Sequence, residues 1–120
     1  MSKYFFDSYA LFEIVFGNDK YMKYAEAGGV TTIFNIAELN YGLKKERLKE
    51  EADKITDSFK QATIKVFWED LKEAMSLKLK HKDLSIPDSI GYTTAKRLGM
   101  RFLTGDEDFR DFDNVEFIKK

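Results

Sequence analysis

The sequence predicts an α/β fold in three layers, with a central parallel sheet covered by helices on both faces. Short apolar runs of strand length alternate along the chain with longer segments whose apolar residues recur at helical spacing. Such alternation is typical of parallel sheets, because each crossover between parallel strands places a helix on one face. The 120 residues suit one domain spanning 1–120, and a hydrophobic fraction of 43% is enough to form its core.

Residues that start or stop helices divide the first half of the chain. Gly17 and the pair Gly28–Gly29 are expected to end two helices, because glycine commonly follows the last helical turn. Thr31 or Thr32 can cap the next helix. The charged run 44–51 is either the solvated end of that helix or a turn into another. Helices are expected over residues 8–16, over residues 19–27 and from residue 33 to the mid-forties. Beyond the charged run, helix is expected again to about residue 61.

The second half is predicted to contain most of the strands. Residues 62–66 are short and β-branched, which favours a strand. In the helix that follows, Trp68 and Met75 are expected in the core or in a dimer interface rather than as platforms for stacked bases. Ser85 can cap a further helix, which Gly99 ends. The helix that contains Trp68 and Met75 is expected over residues 68–80. Strands are expected over residues 100–104 and 115–118, in addition to the first strand of the chain over residues 3–7.

Composition excludes several classes of protein. No segment approaches the roughly 18 consecutive apolar residues of a membrane span, and the chain has no cysteine for disulfides, thiolate metal sites or nucleophiles. A cytoplasmic location is therefore expected. The net charge of −1 neither supports nor excludes a polyanionic substrate. If several carboxylates hold a divalent cation, the rest of the chain is net positive, so the placement of charge matters more than its sum.

Two acids follow predicted strands at their carboxyl ends, where ligands bind in open α/β sheets. Asp7 ends the first strand, and Asp106 follows the strand that ends at Thr104. Asp7 could instead cap the helix that begins at Ser8, and Asp106 could belong to a polar turn. Thr104 can hydrogen-bond a neighbouring carboxylate or a metal-bound water. Asp108 is either a spare ligand or a surface residue.

Two further acids lie on predicted helices. Glu38 belongs to a segment that is apolar around most of its circumference, and its neighbours three and four residues away include no cation. A partly buried carboxylate needs a partner, which a metal would supply; a distant Lys or Arg, or contact with water, are the alternatives. Asp88 also fits a capping box with Ser85. Both roles can coexist, because one carboxylate oxygen can face the helix and the other a metal.

In this order and spacing, four segments resemble the PIN-domain family, especially the VapC-like toxins of toxin–antitoxin operons. They are Tyr4–Ser8, with an acid and a hydroxyl after a strand; Ile36–Leu39, a helical Glu-Leu motif; Asp88–Ala95, an acid opening a helix; and Leu103–Phe109, which resembles Leu-Thr-x-Asp-x-Asp-Phe. The resemblance covers nearly the whole chain. One departure is Gly91–Tyr92, where such toxins often carry alanines.

The resemblance implies a Mg²⁺- or Mn²⁺-dependent endoribonuclease that leaves 5′-phosphate and 3′-hydroxyl ends. The metal ligands and catalytic acids would be Asp7, Glu38, Asp88 and Asp106, surrounded by Ser8, Thr104 and Asp108. Oxygen ligands without His or Cys suit these ions better than zinc. The resemblance also implies a homodimer and an antitoxin partner. The alternatives are a PIN nuclease of RNA processing without an antitoxin, and a PIN-like binding protein without activity.

The residues that would hold the RNA stay open. Three cationic groups are candidates: Lys44, Lys45 and Arg47; Lys78, Lys80 and Lys82; and Lys96, Arg97 and Arg101. A solvated helix face is the favoured interpretation for the first two groups. Lys96 and Arg97 lie toward the far end of the helix that Asp88 begins, which weakens them as phosphate contacts. His81, the only histidine, is expected at the surface rather than in catalysis.

Overall fold

The computed structural model describes residues 3–46 and 49–120. Its sheet has four parallel strands in the order β2-β1-β3-β4. The strands are β1 (Tyr4–Phe6), β2 (Gly29–Val30), β3 (Arg101–Thr104) and β4 (Val115–Phe117). Because all four are parallel, their carboxyl ends lie along one edge of the sheet. The predicted α/β fold with a central parallel sheet is therefore confirmed.

Helices cover both faces of the sheet. The helices within the described residues are α1 (Ser8–Val15), α2 (Asp19–Ala27), α3 (Ile33–Glu46), α4 (Lys49–Asp57), α5 (Trp68–Lys80) and α6 (Ile86–Arg97). Two short 3₁₀ turns follow Phe59 and Asp106, at Lys60–Ala62 and Glu107–Phe109. None of the described helices is long and apolar enough to cross a membrane.

Alternate residues of the two central strands build separate cores. Phe6 and Leu103 belong to a cluster with α1, α2 and α3 on one face, whereas Phe5 and Phe102 belong to a cluster with α6 on the other. This follows from the period of two in a strand, which sends neighbouring side chains to opposite faces. The register pairs Phe5 with Phe102 and Phe6 with Leu103, so each core is continuous across the sheet.

The predicted strand over residues 62–66 is wrong, and the sequence reading missed β2. The segment forms one isolated bridge, between Thr63 and Thr31: the Thr31 amide donates to the Ala62 carbonyl at 3.0 Å, and the Ile64 amide donates to the Thr31 carbonyl at 2.9 Å. Pairing stops there because the chain leaves the sheet after Thr31 and enters α3. The helix predicted to reach residue 61 ends at Asp57, and Arg47 and Leu48 of the charged run lie outside the described residues.

Several large apolar residues of α5 are exposed rather than packed in the core. Trp68 is 76% exposed and Leu79 is 74% exposed, while Met75 is 38% exposed. The expectation that Trp68 and Met75 lie in the core is therefore wrong for this chain. The buried face of α5 instead carries Asp70 and Ala74. An interface role for the exposed residues stays a prediction.

Candidate active site

Asp7 lies between β1 and α1 and is completely buried. Its Oδ1 accepts a hydrogen bond of 2.8 Å from the Ala10 amide, so Asp7 caps α1. Its Oδ2 is buried and accepts no hydrogen bond. The capping interpretation is therefore correct for one oxygen, and the second oxygen remains available for another partner.

Asp106 lies just beyond β3, on the same edge of the sheet. Its Oδ1 accepts a 2.9 Å hydrogen bond from the Asp108 amide, which caps a 3₁₀ turn. The Asp106 amide donates to Oγ1 of the buried Thr104 at 3.0 Å. Thr104 thereby holds the turn that carries Asp106, and its hydroxyl lies near the Asp7 carboxyl.

Asp88 occupies the first turn of α6. The Ser85 hydroxyl accepts a 3.1 Å hydrogen bond from the Asp88 amide, so the predicted cap is correct. Oδ1 of Asp88 is nevertheless buried and has no hydrogen-bond partner. Asp7 and Asp88 thus share the same property, one orphaned carboxylate oxygen at the site.

Glu38 lies on α3 and receives a hydrogen bond from Ser8, the first residue of α1. The Ser8 hydroxyl donates to Oε1 of Glu38 at 2.5 Å. The partner of Glu38 is therefore neither a distant Lys nor a distant Arg. It is the hydroxyl that directly follows Asp7, and this contact ties α3 to the carboxyl end of β1.

Charge interactions link the four acids of the site. Burial raises the pKa of Asp7 well above its usual value, and the charges of Asp88 and Asp106 raise it further. Burial also raises the pKa of Asp88 to about 7, with contributions from Glu38 and Asp106. Like charges disfavour ionisation only at short range. Each of the four acids selected from the sequence therefore lies within electrostatic range of at least one other.

Sequence reasoning missed the buried residue that supports Ser8. Asn35 is completely buried on α3; its Oδ1 accepts a 2.7 Å hydrogen bond from the Thr32 hydroxyl, and its Nδ2 donates to Oγ of Ser8 at 3.2 Å. A relay therefore runs from Thr32 through Asn35 and Ser8 to Glu38. The available signal was an amide three residues before Glu38 in a largely apolar helix, one turn away on the same face.

Gly91 allows α6 to pack closely against this relay. A Cβ atom at Gly91 would lie 3.0 Å from Oδ1 of Asn35 and 2.9 Å from the ring of Phe5. Gly91 is one of the residues in which the sequence departs from the alanines of the toxins that it resembles. The departure makes room for the larger neighbours on α3 and β1 and keeps Asp88 beside them.

A family model described as PIN domain matches residues 4–115. This chain belongs to the PIN-domain family. The match includes all four acids of the site. PIN domains are generally nucleases, which supports a hydrolase.

Solved structures share this PIN fold. A toxin–antitoxin complex from Klebsiella pneumoniae is similar with a TM-score of 0.74 and 20% identity, over 97% of this chain and 98% of that chain. VapBC2 from Rickettsia felis, bound to a promoter DNA fragment, is similar with a TM-score of 0.72 and 17% identity, over 98% of both chains. At such identities the likeness shows the fold alone. A comparison with curated proteins found no match to this sequence.

The donor set of this PIN domain fits a hard divalent cation. Within residues 3–46 and 49–120, no three His, Asp or Glu side chains already stand in metal-binding geometry. Two features fit a bound cation: the orphaned oxygens of Asp7 and Asp88, and the raised pKa values of both carboxyls. Carboxylate oxygens are the ligands that Mg²⁺ and Mn²⁺ prefer.

Ion pairs occupy several cations that were candidates for holding RNA. The pairs are Lys44 with Asp53 at 3.0 Å, Lys96 with Asp113 at 3.0 Å, Arg97 with Asp70 at 2.8 Å and Arg101 with Glu116 at 3.0 Å. Arg47 lies outside the described residues. His81 is exposed, as expected, and its ring packs edge-on against Phe112 at 4.8 Å.

Proposed function

We propose that this PIN-domain protein is a Mg²⁺- or Mn²⁺-dependent endoribonuclease, the toxin of a toxin–antitoxin pair acting in the cytoplasm. One observation carries the nuclease proposal. Burial and the charges of neighbouring acids raise the pKa of Asp7 and of Asp88 at one edge of the sheet, and each of these two residues buries an oxygen without a partner. Such mutual repulsion is unfavourable unless a proton or a cation relieves it.

Asp7 and Asp106 would be the principal metal ligands, with Glu38 and Asp88 as ligands or as acceptors for metal-bound water. A divalent ion bound there would activate water and stabilise negative charge on the scissile phosphate. The chain's own contribution is positioning. Ala10 holds one oxygen of Asp7 so that the other faces the site, and Ser8 orients Glu38.

Thr104 and Asp108 would support the site from beyond β3. Thr104 holds the amide of Asp106, and the Asp108 amide binds the carboxylate of Asp106. Through these two contacts the orientation of Asp106 is set by its own turn, independently of α3 and α6. We propose that residues 1–120 act as one nuclease domain.

The toxin assignment rests on the two similar structures, both of which are toxin–antitoxin complexes. A toxin of this type needs surfaces for an antitoxin and, as we propose, for a second copy of itself. The exposed apolar residues of α5, Trp68 and Leu79, provide area of the kind that interfaces use. A small DNA-binding-protein gene directly upstream would support the antitoxin part of the proposal.

The nuclease proposal is tested with purified protein and a fluorescent RNA, with Mn²⁺ and with EDTA. We expect cleavage by the wild type in Mn²⁺ only, and its loss in Asp7→Asn and Asp106→Asn. Asp57→Asn is the matched control, because Asp57 is an exposed carboxylate on α4. The substitution leaves the site acids unchanged, so cleavage should persist.

Two other outcomes decide between the alternatives. Cleavage that survives in both site variants would mean that another site or a contaminant is responsible. Binding of RNA by a wild type that never cleaves it would identify a PIN-like binding protein instead. Metal-dependent cleavage that no co-expressed upstream protein suppresses would favour an RNA-processing nuclease.

A further inference from the structure

A polar pocket of about 240 Å³ lies at the turn between α5 and α6. Its walls combine turn residues with one acid from the opposite side, beyond β3: Lys80, His81, Lys82, Asp83, Leu84 and Asp108. Neither the family match nor the similar structures assign a role to this pocket.

The pocket borders the candidate active site. Asp108, which forms one wall, directly follows the turn of Asp106 and donates its amide to the Asp106 carboxylate. Burial and the charges of Asp106 and Asp83 raise the pKa of Asp108, and the Asp108 charge in turn reaches Asp88. A group bound in the pocket would therefore lie beside Asp106 and Asp88.

The turn that forms the pocket is held by its own hydrogen bonds. Nζ of Lys78 donates to the Leu84 carbonyl at 2.5 Å and to the Lys82 carbonyl at 3.2 Å. The Leu84 amide donates to the His81 carbonyl at 3.1 Å, and the Leu84 side chain is buried. Since the turn is preformed, binding there would require little further ordering.

Two cations of the pocket remain unneutralised. In the part of the chain that the structure describes, Lys80 and Lys82 form no ion pair, whereas Lys96, Arg97 and Arg101 each have a carboxylate partner. Lys78 is occupied by the turn carbonyls. Among the cations considered for holding RNA, Lys80 and Lys82 thus line the pocket beside the acids and stay available for an anion.

We propose that Lys80 and Lys82 bind phosphodiester groups of the RNA strand next to the scissile one. The proposal rests on the proposed nuclease function and adds the residues that hold its substrate. An RNA strand crossing a cluster of acids needs positive charge beside that cluster, because the backbone carries one negative charge per nucleotide. His81, packed on Phe112, would form the wall between the two lysines rather than act in the chemistry.

The test compares Lys80→Gln/Lys82→Gln with Lys49→Gln/Lys54→Gln, which removes the same charge from exposed positions on α4. Binding of a fluorescent single-stranded RNA is measured by anisotropy in EDTA over a range of salt concentrations. Loss of two phosphate contacts should make the negative slope of log K against log salt shallower by about 1.4. In Mn²⁺ the pocket variant should show a raised KM with an unchanged kcat.

An unchanged salt slope, or an equal change in the α4 control, would overturn the proposal. The binding arm needs no catalysis, so it decides the role of the pocket even if the wild type proves inactive. An inactive wild type would instead overturn the proposed nuclease function. All four lysines are exposed, so equal melting temperatures should confirm that both variants fold.

Discussion

Asp88, in the first turn of α6, lies close enough to Asp7, at the end of β1, to reinforce the effect of burial on the pKa of the Asp7 carboxyl. Each residue also has one buried oxygen without a hydrogen bond. The Ala10 amide donates to Asp7 and the Asp88 amide donates to the Ser85 hydroxyl, and these hydrogen bonds fix the local backbone around the two acids without neutralising their charge. The negative charges of the acids therefore repel one another. Protons bound to the carboxyls relieve this repulsion in the free protein, and a divalent ion can replace those protons.

The metal-free protein should lose stability as the pH rises. The pKa of Asp88 is raised from 3.8 to about 7 in the folded chain, so between these values the native state binds more protons than the unfolded state. The free energy of unfolding then decreases with pH, in total by up to about 4 kcal/mol for a rise of this size. Thermal unfolding in EDTA between about pH 4 and about pH 8 measures this slope.

Asp88→Asn is the variant that isolates this effect. It keeps the side-chain volume and removes the titration, so its stability should depend less on pH and should exceed that of the wild type near neutral pH. Asp57→Asn should retain the wild-type slope. If the slope of Asp88→Asn equals that of the wild type, the pH dependence arises elsewhere.

Mn²⁺ should stabilise the folded protein, because it would bind the native acids and not the unfolded chain. At a concentration one hundred times the dissociation constant, the gain in unfolding free energy is about 2.7 kcal/mol. A melting-temperature titration with Mn²⁺ measures it without RNA. Asp7→Asn and Asp106→Asn should lose most of the shift, and a shift that is undiminished in both would place the ion away from the four acids.

Asn35 should influence metal affinity through Ser8 and Glu38. Asn35→Asp keeps the acceptor for the Thr32 hydroxyl but places an oxygen where Nδ2 now donates to Ser8. We expect Mn²⁺ binding, measured by calorimetry, to weaken by roughly tenfold, as for other outer residues of metal sites. Ser8→Ala should weaken it similarly.

The relay also makes a prediction for the double variant. If Asn35 acts only through Ser8, then Asn35→Asp combined with Ser8→Ala should be no weaker in Mn²⁺ binding than the worse single variant. Additive losses would show that the two residues act independently. Melting temperatures of the free proteins separate a loss of metal affinity from a loss of folding.

Asp70 should matter for stability and not for catalysis. Its buried carboxylate accepts hydrogen bonds from Nε of Arg97, at 2.8 Å for the nearer oxygen, and from the Phe67 amide at 2.9 Å. Asp70→Ala removes the buried carboxylate and with it the hydrogen bonds from Arg97 and Phe67, so we expect a loss of about 2 kcal/mol in denaturant unfolding. Glu69→Ala, which breaks an exposed pair with Lys72, should change stability by less than about 1 kcal/mol.

RNA cleavage by the folded fraction should be equal in both variants and in the wild type. A selective loss of cleavage in Asp70→Ala would mean that Arg97 contributes to the site after all. That result would reverse the conclusion that its ion pair removes Arg97 from the cations that hold the substrate.

The helices were the most predictable part of the fold. The helices over residues 19–27 and 68–80 have the predicted bounds, because Asn18 and Gly28 mark the ends of the first and helical spacing of apolar residues marks the second. The sequence also predicted that Asp7 and Asp106 share an edge, since both follow parallel strands. Local signals and the period of each element were sufficient for these conclusions.

Only the tertiary structure decided which distant groups become partners. It showed that residues 62–66 are not a strand, because the neighbouring β2 ends too early, and that Arg97 is neutralised by Asp70. It also revealed that buried Asn35 supports Ser8 beneath Glu38. Sequence alone determined the elements and the chemical types of the acids, because those depend on neighbours along the chain. Pairing, burial and charge neutralisation depend on residues far apart in sequence, whose distances exist only once the chain has folded.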